Sequence, residues 1–376
     1  MASLLRAAPA ARQLGRVARP LSAAVAAPPA AVEDFEPGAF GVGFETSTLS
    51  NGVVVATTAA GPACCVGVRW GAGGLAGPPS AAFAASAMAA KSANGKSDLA
   101  IQRSLELEGS EPFGLVGATA STVAVEALPD GVEAAFAAAA VGAGVGRDAV
   151  VAWEFEETKA SPLVVHALEA FASLTHAAVK AAYGPGYAPV ADAAALAALE
   201  ASDVDAWFAA AVAHAPATAF GVGVAHSEFA TLAEARLGSL APRGAAASLP
   251  VFQAGGLVAV PGTGCAVAVP APSDPAVAAV VAEAIGATLV EGLLVVEGTD
   301  KASAEAQLKT LGDVASAKAS AAAKIASAGP LETAAFVSEG SDPEKLYAAA
   351  LSVADDAVKA AHAAATKNAP AVALAA

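Results

Sequence analysis

"ACCVGVRWGAGGLAGPPSAAFAASAMAAK", residues 63 to 91, reads as one structural unit. Ala63 to Trp70 is a short apolar run suited to a buried strand. A Gly/Pro loop follows, and Ser80 to Lys91 is an alanine-rich helix, alanine being the best helix former. The same order recurs in "GCAVAVPAPSDPAVAAVVAEAIGATL", residues 264 to 289, with a strand from Cys265 to Val269 and a loop from Pro270 to Pro275. Two closing stretches also match. "DAWFAAAVAHAPATAFGVGV" (205 to 224) and "DDAVKAAHAAATKNAPAVALA" (355 to 375) each read as helix, turn, strand. A repeat on this scale predicts two half-domains, residues 44–240 and a shortened 255–376, joined by a linker over 241–254.

Within the first half the local signals are specific. "ETSTLSNGVVVATTA" is a strand pair around Asn51-Gly52, a strong hairpin signal. "DLAIQRSLELEG" is a helix stopped by Gly109, and "FGLVGATASTVAVEAL" alternates like one strand. "VEAAFAAAAVGAGV" gives a helix, and residues 147 to 179 give one or two more. The fold class is α+β, with a mostly antiparallel sheet packed against helices in each half. In "VEGLLVVEG", residues 290 to 298, four apolar residues run without alternation. That is the pattern of a strand covered on both faces, either in the second sheet or under a partner. Alanine is expected to dominate the second half's core and leave that half marginally stable alone.

Composition excludes several classes. The 376 residues are 56% hydrophobic, with a mean hydropathy of +0.57, but alanine supplies much of this and aromatics are only 5%. The longest charge-free run, between Arg243 and Asp274, is broken by Pro250, Pro261, Pro270 and Pro272, so no membrane span is expected. Residues 1–32 carry Arg6, Arg12, Arg16 and Arg19 and no acid before Glu33, the pattern of a mitochondrial or plastid transit peptide, and 1–32 is taken as a mitochondrial one. Without those arginines 16 basic residues face 35 acidic ones, a net −19 that speaks against nucleic acid.

Several motifs come close to known chemistry. Ala90 to Ser97 is one substitution from a phosphate-binding G-x-x-x-x-G-K-[ST] loop. A phosphate loop lies between a strand and a helix N-terminus, whereas a helix precedes this one, so the stretch is read as a helix–helix connection closed by Asn94-Gly95. "FGVGVAH", Phe220 to His226, is read as a strand with small residues. His166, His176, His214, His226 and His362 lack metal-ligand spacing, and Cys64, Cys65 and Cys265 form no C-x-x-C pair, so no cofactor or metal is expected. Cys64 and Cys65 would alternate between the faces of a strand.

The ordered set of segments, from "TLSNGVVVATTAAGPACCVGVRWGAGG" through "RDAVVAWEFEETKASPLVVHALEAFAS" to "AHSEFATLAEARLGSL", resembles the M16 metallopeptidase family. That family includes the mitochondrial processing peptidase subunits and the core proteins of ubiquinol–cytochrome c reductase. The resemblance covers residues 44 to 240 and fades beyond. Active members carry H-x-x-E-H on the helix that here begins at Ser80. Ser80 and Ala84 stand near the two histidine positions, Phe83 near the glutamate, and Glu154 at the third-ligand position. No histidine or acid lies between Gly71 and Lys96, and one carboxylate cannot hold zinc, so Glu154 is read as a leftover or a solvated helix-face acid.

The resemblance therefore implies a non-catalytic chain. It points to a core protein 2-like subunit of complex III on the matrix side of the mitochondrial inner membrane, peripheral to it. The partners implied are core protein 1, a processing-peptidase β-like M16 chain, and other complex III subunits. Alternatives are a presequence-binding α-like subunit of the processing peptidase, or a scaffold in another mitochondrial complex. The α-like subunit has a long glycine-rich loop that would fall near residues 285 to 309, where this chain shows a strand-like segment and no loop.

Overall fold

The computed structural model describes residues 43–58, 64–107, 109–184, 187, 191–241, 244–245, 248–260 and 263–375; the arginine-rich leader and the rest of the first 42 residues lie outside them. The first half runs β1 (Phe44–Thr48), β2 (Val54–Thr58), β3 (Cys64–Trp70), α1 (Ala81–Ala87), α2 (Asp98–Leu107), β4 (Glu111–Val116), β5 (Ser121–Ala127) and α3 (Val132–Gly142). It continues through α4 (Ala152–Lys159), α5 (Pro162–Phe171), α6 (Leu174–Tyr183), α7 (Ala193–Ala198), α8 (Ala201–His214), β6 (Ala217–Val222) and α9 (His226–Leu237). The second half runs β7 (Leu257–Val260), β8 (Cys265–Pro270), α10 (Pro275–Ile285), β9 (Thr288–Val290), β10 (Leu293–Gly298) and α11 (Lys301–Lys309). It ends with α12 (Val314–Ala326), α13 (Pro330–Ser338), α14 (Pro343–Ser352), α15 (Asp355–Ala365) and β11 (Ala371–Ala375).

The two sheets have one plan. The first is ordered β1-β2-β6-β3-β5-β4 and the second β7-β11-β8-β10-β9. Without β1 the orders superimpose strand for strand. In each sheet one pair is parallel, β2 with β6 and β7 with β11, and the remaining pairs are antiparallel. Local chemistry sets the element ends. Asp274 caps α10 through the amides of Ala276 and Val277, Pro275 opens it, and Gly286 closes it at φ 65°. Gly52, at φ 86°, turns the first hairpin, while Asn51 donates its side-chain amide to Leu237 O at 2.7 Å. That bond ties the hairpin to the end of α9.

Each sheet is covered on one face by a helix from the other half. On the first sheet, Val66, Val68, Val123 and Val125 face α3, whereas Ala56, Cys65, Phe220 and Val222 face Leu331, Ala334 and Val337 of α13. On the second sheet, Val267, Val269, Leu294 and Val296 face the second half's own helices, and Ala266, Ala268, Leu293 and Val295 share a core with Ala178, Val179 and Tyr183 of α6. The helix between β5 and β6 and its counterpart between β10 and β11 are thus exchanged. One hydrophobic core passes through both halves.

Several sequence expectations change here. "FGLVGATASTVAVEAL" is not one strand but parts of the hairpin β4–β5, because Gly117 N–H donates to Ala120 O at 2.8 Å and folds the run back on itself. The first alanine-rich helix stops at Ala87 rather than Lys91, and residues 147 to 179 hold three helices, the third continuing to Tyr183. Residues 290 to 298 contain a two-residue turn, Glu291-Gly292, followed by β10. β10 lies inside the second sheet, not under a partner, with Leu293 to Val296 all 0–2% exposed. The second half's outer core is mixed rather than alanine-dominated: six of its twenty buried members are alanine, beside Val280, Ile285, Leu308, Phe336 and others. Burying each such branched or aromatic side chain contributes about 1.5–3 kcal/mol, well above an alanine methyl.

Candidate functional site

The helix where the resemblance places the zinc motif is short and apolar. Ser80, Phe83 and Ala84 are all buried. Ser80 is the residue before α1, at φ 67°, and its hydroxyl accepts from Asp192 N at 2.9 Å. That bond fixes the entry of α1 against the segment before α7. None of the three positions offers a metal donor beyond this occupied hydroxyl.

Glu154 is at the other end of α1, and it is not solvated. It is 1% exposed, on the first turn of α4. Its Oε2 accepts from Ser92 N at 3.1 Å and its Oε1 from Ser92 Oγ at 2.9 Å. The Ser92 hydroxyl also accepts from Asp98 N, at the start of α2. The acid therefore joins the α1–α2 connection to α4, and the structure does not bring it to Ser80. Sequence reading missed this because three glutamates within four residues look like a solvated face; the partner lies 62 residues away.

The near-phosphate loop is explained by the same contacts. Asn94 and Gly95 take φ of 53° and 71°, closing a tight turn between Ala93 and Lys96. Gly95 N donates to Asp148 Oδ2 at 3.1 Å, and Asn94 Oδ1 accepts from Asp148 N. The backbone amides of Ser92 and Gly95 thus already hold the carboxylates of Glu154 and Asp148. A phosphate would meet two negative charges where a phosphate loop offers bare N–H groups.

Arg147, absent from the sequence-based candidates, completes this node. Its Nη2 donates to Ser92 O at 3.2 Å, and its guanidinium lies 5.4 Å from the centre of the Phe208 ring. Burial lowers its pKa, while Glu154, Asp205 and Asp148 act to raise it. Asp205 accepts from Val150 N at 2.9 Å. The one sequence signal was a lone basic residue after the glycine-rich end of α3.

A second polar contact joins the two sheets. Glu291, at φ 48°, sends Oε1 to Ala118 N at 2.8 Å, reaching from the β9–β10 turn to the β4–β5 turn. Tyr183 donates its hydroxyl to Glu291 O and stacks on Tyr187 with ring centres 5.5 Å apart. Burial raises the Glu291 pKa, partly offset by the Ala118 amide, and pushes the Tyr183 phenol up to about 12.

The remaining ionisable groups are dispersed. His226 lies between Thr57 Oγ1 at 2.8 Å and Ser47 Oγ at 2.9 Å, His362 contacts Leu308 O, and His166 pairs with Glu169 at the surface. The three cysteines are buried free thiols whose pKa values burial raises, the opposite of what a reactive thiolate needs. Among the described residues no group of three or more His, Cys, Asp or Glu side chains is placed to hold a metal, and no single helix is long and apolar enough to cross a membrane.

Comparison of the structure with solved proteins identifies the fold. The peptidase M16 inactive domain from Pseudomonas fluorescens superimposes with a TM-score of 0.67 at 17% sequence identity, over 89% of this chain and 98% of that one. A protease from Helicobacter pylori superimposes with a TM-score of 0.65 at 11% identity, over 88% and 99%. The α+β, two-sheet architecture is therefore an M16-like fold. No protein-family model matches the chain and no curated protein matches it in sequence.

Proposed function

We propose that this chain is a non-catalytic scaffold with the M16 fold, and specifically a core protein 2-like subunit on the matrix side of mitochondrial complex III. The observation that carries the non-catalytic reading is the use of Glu154: both its oxygens are bound to Ser92, and α1 supplies no imidazole beside it. A catalytic zinc of the M16 kind needs two histidines and a carboxylate, with a second carboxylate as base. The description of the Pseudomonas relative as an inactive domain agrees with this reading. The mitochondrial assignment is supported by the acid-free, arginine-bearing leader and by the sequence resemblance to core proteins. A presequence-binding role has less support, because residues 285 to 309 contain the β9–β10 hairpin and α11 in place of a long glycine-rich loop.

Two measurements separate the levels of this proposal. Residues 33 to 376, purified, should contain no stoichiometric zinc and cleave no peptide; one zinc per chain, lost in Glu154→Gln, would overturn the non-catalytic reading. Mass spectrometry of the native, gently solubilised assembly should recover a second M16-like chain together with cytochrome-bearing subunits. Recovery of a different respiratory assembly would keep the scaffold and remove complex III.

A further inference from the structure

The two sheets differ at one edge. In the first, the outer side of β2 is covered by β1, which pairs with it antiparallel. β7 holds the place of β2 in the second sheet, and among the described residues no strand lies beyond it. Val372 N donates to Gly256 O at 2.8 Å, which fixes the phase of the parallel ladder between β7 and β11. Gly256, Val258 and Val260 therefore point their backbone groups at β11, while Leu257 and Ala259 turn their N–H and C=O outward. Side-chain exposure alternates in step: Leu257 and Ala259 are exposed, Val258 and Val260 half-buried.

Sheet edges are ordinarily guarded by a charge, a proline or shortness. The other three edges follow this rule. β1 carries Glu45, β4 carries Glu111 and Pro112, and β9 is only three residues long and stops before Glu291. β7 is Leu-Val-Ala-Val, inside a run from 244 to 273 that holds no charged residue. Val251 and Leu257, both in that run, are 86% and 66% exposed. In a chain of net charge −15 this edge is a surface on which a second copy meets no charge of its own sign. We propose that two copies of this chain join antiparallel along β7, about a two-fold axis at Val258. The axis sets Leu257 of each copy opposite Ala259 of the other, so the four outward residues form two hydrogen-bonded pairs, each exchanging both N–H···O bonds. The two five-stranded sheets then run on as one. Such a contact uses the β7 edge of both copies and closes on itself, giving a dimer and not a filament.

The test is the oligomeric state of the purified full chain, followed by sedimentation equilibrium from roughly 1 to 100 µM, where a small interface is partly dissociated. A monomer–dimer equilibrium is expected. Ala259→Pro removes an outward N–H and leaves the β11 ladder intact, and Leu257→Glu puts a charge of the chain's own sign on the edge. Each should weaken association about tenfold or more in a chain that unfolds at the wild-type midpoint. The axis also places the two Val258 Cα atoms about 4.5 Å apart, within disulfide reach. Val258→Cys should therefore cross-link the copies under mild oxidation about tenfold faster than Leu257→Cys, which the axis offsets by two residues; the three native thiols are buried. A wild-type chain that stays monomeric throughout would overturn the proposal. So would association that survives Leu257→Glu and Ala259→Pro, or equal cross-linking of the two cysteine variants.

Discussion

Replacing Glu291 tests how the two halves are held together. Three effects meet at this residue: a hydrogen bond from Ala118 N, a left-handed backbone, and a half-buried carboxylate whose pKa is raised by desolvation. Alanine removes the acceptor and keeps the strain, leaving the Ala118 amide unpaired at a cost of about 1–3 kcal/mol. Glycine removes the acceptor too but relieves a left-handed strain of about 1–2 kcal/mol, so after its larger unfolded-state entropy it should exceed alanine by about 1 kcal/mol. Glutamine keeps an acceptor and has no charge to bury. The pH dependence then follows from the direction of the shift. A raised folded-state pKa means the folded chain holds the proton more tightly, so Glu291's contribution is full below its ordinary value of 4.5 and is lost as pH rises through the folded value. Urea unfolding at several pH values should therefore show the Glu291→Gln variant gaining on the wild type as pH rises above 4.5, with Glu291→Gly and then Glu291→Ala below both. Parallel pH curves for wild type and Glu291→Gln, or equal losses in the Ala and Gln variants, would refute this account of the contact.

Two further substitutions test other parts of the structure. Ser92→Ala removes one of the two bonds that hold the buried Glu154 and should cost about 2 kcal/mol, within the range for hydrogen bonds to charged groups; a neutral result in urea unfolding would mean that water replaces the hydroxyl. Val337→Ala deletes methyls from a fully buried position on the exchanged helix α13 and should cost about 2 kcal/mol. Because α13 covers the first sheet, tryptophan fluorescence, which reports only on the first half through Trp70, Trp153 and Trp207, should move together with far-ultraviolet circular dichroism. Two separated transitions would show that the halves unfold independently.

Features with local causes could be read from the sequence. The Asn51-Gly52 hairpin forms where neighbouring residues dictate it, and the order strand, loop, helix from Cys265 onward holds, although β8 takes Pro270 and α10 takes Pro275 from the expected loop. "FGVGVAH" is strand only to Val222, since the chain turns at Gly223 (φ 75°) and His226 opens α9. The β4–β5 hairpin was missed because Gly117 to Ala120, "GATA", lacks a strong turn dipeptide, and its closing bond is visible only in the folded backbone. β7 was missed as well: four residues, Leu257 to Val260, at the open edge of the sheet carry little pattern. At the candidate site the absence of histidine was plain, but the burial of Glu154 and Arg147 was not, since both depend on Ser92 in a distant connection. The helix exchange was hidden for the same reason, because an apolar stripe on α6 or α13 does not say which sheet it will cover.

That exchange affects how the chain can be made. The face of the first sheet formed by Ala56, Cys65, Phe220 and Val222 is complete once synthesis passes Val222, yet its cover, α13, begins only at Pro330. At roughly 5–20 residues per second the intervening stretch takes about 5–20 s to emerge. For that interval the nascent first half presents a bare apolar sheet face, which is the kind of surface that chaperones bind and that neighbouring chains can join. Truncations that end at the linker should therefore be aggregation-prone even though every strand of the first sheet is present.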